Sequence, residues 1–195
     1  MTLAGKKIGF GITASFCTLP EIPEALKALK NLGADLYPIV SENINTLDSR
    51  FHNRDEFIAE VEAICGRPVT HTITQAEGFG PKTQLDLMIV APATGTTIAR
   101  IAGGISDGAV TLATKATMRN NKPILLALFS NDALGLGGVN IMKLYSTKNI
   151  FFVPFGQDDP IGKPNSMLSK LALMPEAAAL ALEGKQLQPA IIGYG

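Results

Sequence analysis

Short apolar runs alternate along the chain with stretches in which apolar residues recur at helical spacing, the pattern of strands separated by helices. Residues 8–12 read as a buried strand. The stretch 18–33 predicts a helix, with Ile22, Leu26, Leu29 and Leu32 on one face, Thr18 and Glu21 at capping-box spacing, Pro20 in the first turn and Gly33 as the stop. Residues 34–41 predict a second strand. A helix over 53–66 follows, with Asn53 as N-cap, Phe57, Val61 and Ile64 as its stripe and Gly66 at its C-terminal cap. A short third strand is expected at His71, and His52 is expected to open the preceding helix. The run "LDLMIVAP" is apolar almost throughout, as a central parallel strand covered on both faces must be. Beyond it the pattern predicts a helical region to Asn120, a strand at "KPILLALFS", a helix around 139–147, a short strand at "NIFFVP", a loop over 155–166 and a last helix ending near Gly184. Strands alternating with helices imply right-handed crossovers. The expected fold is a three-layer α/β/α doubly wound parallel sheet of Rossmann-like form, in a single domain over 1–195.

Composition narrows the class of protein. The 195 residues are 46% hydrophobic and 17% charged, with 19 glycines, a balance suited to a packed core without metals or disulfides. Acidic and basic residues number 17 each, so no net charge drives binding to nucleic acid or an anionic membrane. No apolar run approaches the roughly 20 residues of a membrane span. Cys17 and Cys65 have no metal-ligand spacing, and no signal peptide is apparent, which points to reduced thiols in the cytoplasm.

The chemistry gathers where strands end. The segments "TASFCT", "SENINT", "APATGTT", "SNDALGLGG" and "PFGQDD" are rich in small, hydroxyl and amide residues, and in a doubly wound sheet they converge on one edge. Such a set suits backbone and hydroxyl donors around a phosphate and a planar ring, although each segment alone is also ordinary turn and cap chemistry. Gly9-x-Gly11-x-x-Ala14 loosely meets the dinucleotide fingerprint, and equally a buried strand that needs small residues for packing. The helix waits until Thr18 to Pro20, and Glu42 lies beyond Ser41, too far on for the usual ribose contact. A mononucleotide with its phosphate among Thr13, Ala14 and Ser15 fits better than a dinucleotide.

These residues resemble a known family. "GITAS" together with "IVAPATGTTIARIAGGISDGAVTLA" is similar to the flavin mononucleotide-binding flavoproteins, which include phosphopantothenoylcysteine decarboxylase, the lantibiotic cysteine decarboxylases and flavin prenyltransferase. Ala91, Pro92, Ala93, Thr94, Thr97, Ile98, Ala99, Gly104 and Asp107 match that family's middle-strand motif. The resemblance implies an FMN site built from Gly11, Thr13, Ala14, Ser15, Ser41, Ala91, Pro92, Thr94, Thr96, Thr97, Ser130 and Asn131. It also implies homo-oligomers, with the small-residue helix at 98–105 as a packing face.

Departures from the family redirect the activity. Thr96 stands where the decarboxylases carry an Asn, Ala14 replaces a turn glycine, Ser130 stands where the prenyltransferase has a phosphate-binding Arg, and "NDALGLGGVNIMKL" replaces the substrate clasp. No equivalent of the catalytic His is present, and no catalytic residue is assigned. Over nearly its whole length the chain resembles one branch of the family, a subunit of a two-component oxidoreductase of spore-forming bacteria. That resemblance implies oxidation of a partly reduced pyridine dicarboxylate in the mother cell, with NADP or NAD held by a Rossmann-like partner subunit. Two other readings remain: a non-catalytic stabilising subunit, and an independent decarboxylase or prenyltransferase.

Several single residues carry their own expectations. Cys17 reads as a buried structural thiol, Asp107 as an N-cap, and Met142, Met167 and Met174 as core fillers. Asn131, Asp132 and Asn140 flank a Gly-rich turn and are natural at a ligand edge. Lys163, Asn165 and Ser166 read either as a lid that meets a carboxylate or as a solvated loop.

Overall fold

The computed structural model describes residues 2–51 and 53–193; the expectation for His52 lies outside them. Five strands run parallel: β1 (Lys7–Ile12), β2 (Asp35–Val40), β3 (Leu87–Thr94), β4 (Ile124–Ser130) and β5 (Ile150–Phe152). β1 lies between β2 and β3, so the chain order reverses beside it, and ligands of such sheets bind at the carboxyl ends there.

The outer edge of β4 is shared. Its first half pairs with β5 in parallel, and its last residues, Phe129 and Ser130, pair antiparallel with β7 (Met167–Ser169). β6 (Phe155–Gln157) pairs antiparallel with β7 in turn, so the expected doubly wound α/β sheet carries an antiparallel ribbon and is mixed. The ribbon falls partly within the stretch expected to be a loop. Each of its strands is three residues long, too short for a period of two to register.

Helices cover both faces. Leu87, Ile89 and Ala91 of β3 face one core with Leu125, Ala127 and Phe129 of β4, under helices α1 (Ile22–Asn31), α3 (Arg54–Cys65) and α8 (Met174–Leu182). Met88, Val90 and Ala93 face the other, under α5 (Gly95–Ala102), α6 (Ala109–Arg119) and α7 (Gly138–Tyr145). This two-sided burial explains why β3 is apolar without alternation. Ile22, Leu26 and Leu29 of α1 are wholly buried, each worth about 1.5–3 kcal/mol relative to exposure. Asn53 caps α3 by accepting from the N–H groups of Asp55 and Glu56, and Gly66 closes it at φ +74°.

Other local expectations fail for physical reasons. Thr18 does not cap a helix: its hydroxyl lies 3.1 Å from that of Ser15, and a tight 3₁₀ turn over Phe16–Glu21 leads into α1 instead. A short α2 (Glu42–Thr46), too brief to show a helical period, follows β2. At His71 no strand forms. Thr70 makes a single bridge to Ile39, and the Gln75 side chain then takes the N–H groups of His71 and Thr72, turning the chain into α4 (Ile73–Ala76). Asp107 is not a cap, because Gly108 holds that position and Asp107 pairs with Arg100 at 3.4 Å. Met167 and Met174 are buried as expected, but Met142 is half exposed. No helix among the described residues is long and apolar enough to cross a membrane.

Candidate functional site

The glycines of the opening fingerprint belong to the core. A Cβ on Gly11 would stand 2.7 Å from Val110 Cγ1 and 2.8 Å from Met88 Cε, so α6 lies too close over β1 for any side chain there. Gly9 is equally confined, by Leu85 and Met88. Both serve close packing and face away from solvent.

Beyond the end of β1 the hydroxyl residues divide into support and lining. Thr13 is buried, donates to the Pro92 carbonyl at 2.6 Å and accepts from the Thr94 N–H at 3.3 Å. Thr94 caps α5, and its hydroxyl lies 3.0 Å from that of the buried Thr97. This chain of hydroxyls fixes the ends of β1 and β3 relative to each other, beside the place where β3 shifts register against β4 between Val90 and Ala93. Ala91 is buried in the core and Pro92 contributes its carbonyl to Thr13.

Above this support lies an open cavity of about 780 Å³ at the carboxyl edge of the sheet, within the size range of ligand pockets. Ala14, Ser15 and Cys17 line it from the loop after β1, and Thr94, Gly95 and Thr96 from the start of α5. A Cβ on Gly95 would come within 3.0 Å of Ser130 Oγ, so the glycine keeps this wall open. Phe129, Ser130, Asn131 and Asp132 line it from the end of β4, and Asn140 from α7. Asp132 braces the Gly-rich turn by accepting from the Gly137 N–H at 3.0 Å. The ribbon closes the remaining side with Asp158, Lys163, Ser166 and Leu168.

Six of the twelve expected cofactor-site residues line this cavity: Ala14, Ser15, Thr94, Thr96, Ser130 and Asn131. Gly11, Thr13, Ala91, Pro92 and Thr97 lie beneath it as packing or support. Ser41 does not line the cavity: it opens α2, its N–H donates to the Ile12 carbonyl at 3.0 Å, and its Oγ is buried without a hydrogen-bond partner. Cys17 is corrected from buried to exposed, since it sits on the 3₁₀ turn with its side chain toward the cavity. The buried thiol is Cys65, which burial pushes up to about 11.

Asp158 and Leu168 were not among the residues expected at the site. The acidic pair in "PFGQDD" is the signal that points to Asp158, but only the ribbon brings it to β4. Its Oδ2 accepts from Lys163 Nζ at 3.2 Å. Burial pushes the Asp158 carboxyl up, yet the Ser166 hydroxyl and the Lys163 ammonium beside it outweigh that and hold it below the usual carboxylate range.

The residues present fit a flavin mononucleotide. Neutral hydroxyls and amides supply donors for a phosphate and for ring edges, Gly95 leaves a cradle that a Cβ would fill, and Phe129, Leu168 and Ala99 offer apolar surface. A cavity with such a lining at the reversal point of a doubly wound sheet is the arrangement of the nucleotide-binding α/β proteins. Residues 1–169 match the Flavoprotein family model, and the chain belongs to that family. More narrowly, it is 45% identical over 191 residues to the B subunit of dipicolinate synthase from Bacillus subtilis (strain 168), covering 98% of this chain and 96% of that protein. The structure is similar to that of the dipicolinate synthase B subunit from Bacillus halodurans C, with a TM-score of 0.92 and 43% identity over 100% of both chains. An FMN-dependent cysteine decarboxylase shares the fold, with a TM-score of 0.65 and 17% identity over 92% of this chain and 99% of that one.

Proposed function

We propose that this chain is the flavin-site subunit of a two-component dipicolinate synthase. With a nicotinamide-dependent A subunit, it oxidises a dihydrodipicolinate-level intermediate to dipicolinate in the mother cell of a spore-forming bacterium. The observation that carries this reading is the near full-length similarity to the B subunit of dipicolinate synthase, together with the cavity at the sheet's carboxyl edge.

In this reading the phosphate lies against Thr13 to Ser15, with Ser15 as the hydroxyl that lines the cavity, and the ring reaches toward Thr94 to Thr97 and Ser130. Bound flavin supplies a two-electron acceptor for a ring whose aromatisation drives the reaction. The chain's own residues orient the ring and limit water at the cavity: Phe129 and Leu168 form its apolar side, and Asp132 and Asp158 hold the loops around it. Among the described residues none that lines the cavity is a histidine. The lining carboxylates, Asp132 and Asp158, are occupied in bracing the Gly-rich turn and Lys163, and this reading gives proton removal to the partner subunit or to water. The exposed Leu136, Val139 and Ile161 near the open side suit contact with another chain, whether a further copy or the A subunit.

The test is a visible absorbance titration of the purified chain with FMN, alongside dipicolinate formation by each subunit alone and by the mixture. Saturable flavin binding and turnover only by the mixture are expected, and Ser15→Asp should abolish flavin binding by repelling the phosphate. Equal turnover by the A subunit alone would reduce this chain to a stabilising subunit. Full turnover by this chain with only flavin added would overturn the two-component reading.

A further inference from the structure

The wall contributed by the ribbon differs in charge from the rest of the cavity. Among the described residues that line it, Lys163 alone carries a positive charge, against the carboxylates of Asp132 and Asp158. A dicarboxylate entering this space finds one cation to pair with, that ammonium, and is repelled by the two aspartates elsewhere. We propose that Lys163 is the substrate-recognition residue of the cavity, engaging one carboxylate of a small dianionic ring and thereby setting the ring's orientation. This inference rests on the reading of the site given above.

The loop that carries Lys163 is built as a fixed post. Gln157 Nε2 donates to the Pro164 carbonyl at 2.9 Å, Lys163 N to the Asp159 carbonyl at 2.8 Å, and Ser166 N to the Lys163 carbonyl at 2.9 Å. Leu134 N donates to the Asn165 carbonyl at 3.0 Å, which ties the loop to the turn after β4. The antiparallel pairing of Met167 with Ser130 then sets this loop beside the cavity mouth. A lysine on such a frame loses less freedom on binding than one on an unbraced loop.

Its present partner leaves it available. The Lys163 side chain is 61% exposed while that of Asp158 is 19% exposed, and the ammonium touches a single Asp158 oxygen at 3.2 Å, so a ligand carboxylate joins the ammonium on its open side without displacing Asp158. The ammonium has three donors and can hold Asp158 and an incoming carboxylate together. Asp158 is then a positioning residue, keeping the lysine from turning outward between turnovers.

The experiment uses the wild-type chain and the K163Q and K163R variants, each reconstituted with FMN and the A subunit. Dipicolinate formation gives KM and kcat, and calorimetry on the chain alone compares dipicolinate with picolinate, which lacks one carboxylate. K163Q is expected to raise KM about tenfold or more, with kcat changed far less, as loss of a charged hydrogen bond predicts. K163R should recover most of that loss, FMN affinity should stay within about twofold, and wild-type preference for dipicolinate over picolinate should collapse in K163Q. A wild-type complex that turns over normally while K163Q keeps its KM and its preference would overturn this inference and leave the proposed function standing. A wild-type chain that neither binds dipicolinate nor supports turnover would overturn both.

Discussion

The cavity has two walls made in different ways. The wall from β1 and β3 rests on parallel strands buried on both faces and on hydroxyls locked beneath the surface, with Thr13 bridging to Pro92 and Thr94. The wall from β4 and the β6–β7 ribbon rests on two antiparallel residue pairs, braced turns and an ion pair at the rim. The first is rigid and neutral; the second carries the charge. Packing supplies a fixed frame for a cofactor, while exposed, hydrogen-bonded loops supply the groups that discriminate among substrates.

Each wall depends on a buried hydroxyl, and the ribbon's matters more for stability. Ser169 is buried, donates to the Val153 carbonyl at 3.0 Å and accepts from the Leu128 N–H at 2.8 Å. Ser169→Ala strands both backbone groups and is expected to cost about 3 kcal/mol. In a chain of this size that lowers the melting temperature by about 6–12 °C, readable by calorimetry. An unchanged melting temperature would show that the ribbon does not depend on this bridge.

Next in size is Gly11→Ala, which forces a methyl into contact with Val110 and Met88 and should destabilise by about 1–3 kcal/mol. Denaturant unfolding measures the loss. Flavin affinity of the folded fraction should stay near wild type, because Gly11 packs under the site; a selective loss of flavin binding with normal stability would make it a ligand contact after all. Thr13→Val keeps the shape but removes the partner of the Pro92 carbonyl and of the Thr94 N–H, the latter a longer contact at 3.3 Å, at about 1–2 kcal/mol. Because the β1–β3 junction loosens, flavin affinity should fall alongside stability, unlike in Gly11→Ala.

The smallest effect is on pH. Asp158 is held below its ordinary value of 3.8, so its native contacts add stability that is fully present above that value and lost as pH falls through the lower native one. Amide protection factors in residues 158–166, corrected for the intrinsic pH dependence of exchange, should therefore fall below about pH 4, with little change in the β1–β3 region attributable to this group. Asp158→Asn should remove that acid-side step; its persistence in the variant would assign the step elsewhere.

The same division governs what could be read from the residues in order. β1 to β5 were legible because each is a concentrated apolar run, and α3 because Asn53 and Gly66 mark its ends. Half of the expected cofactor residues reach the cavity, since the ends of parallel strands converge wherever the sheet forms. The other half could not be sorted from them. Thr13 and Ser15 are both hydroxyl residues of one loop, and only packing decides that one is buried support and the other lines the cavity.

The order of residues by itself determined the alternation of strands and helices, and with it the edge on which the chemistry gathers, because periodicity and caps act over a few neighbouring positions. Only the tertiary structure decided that Gly11 is there for α6, that Cys17 faces out, and that Lys163 and Asp158 stand beside the end of β4. Those outcomes depend on contacts between residues far apart in the chain. Strands as short as β6 and β7 have too little pattern of their own and form where β4 offers an unpaired edge.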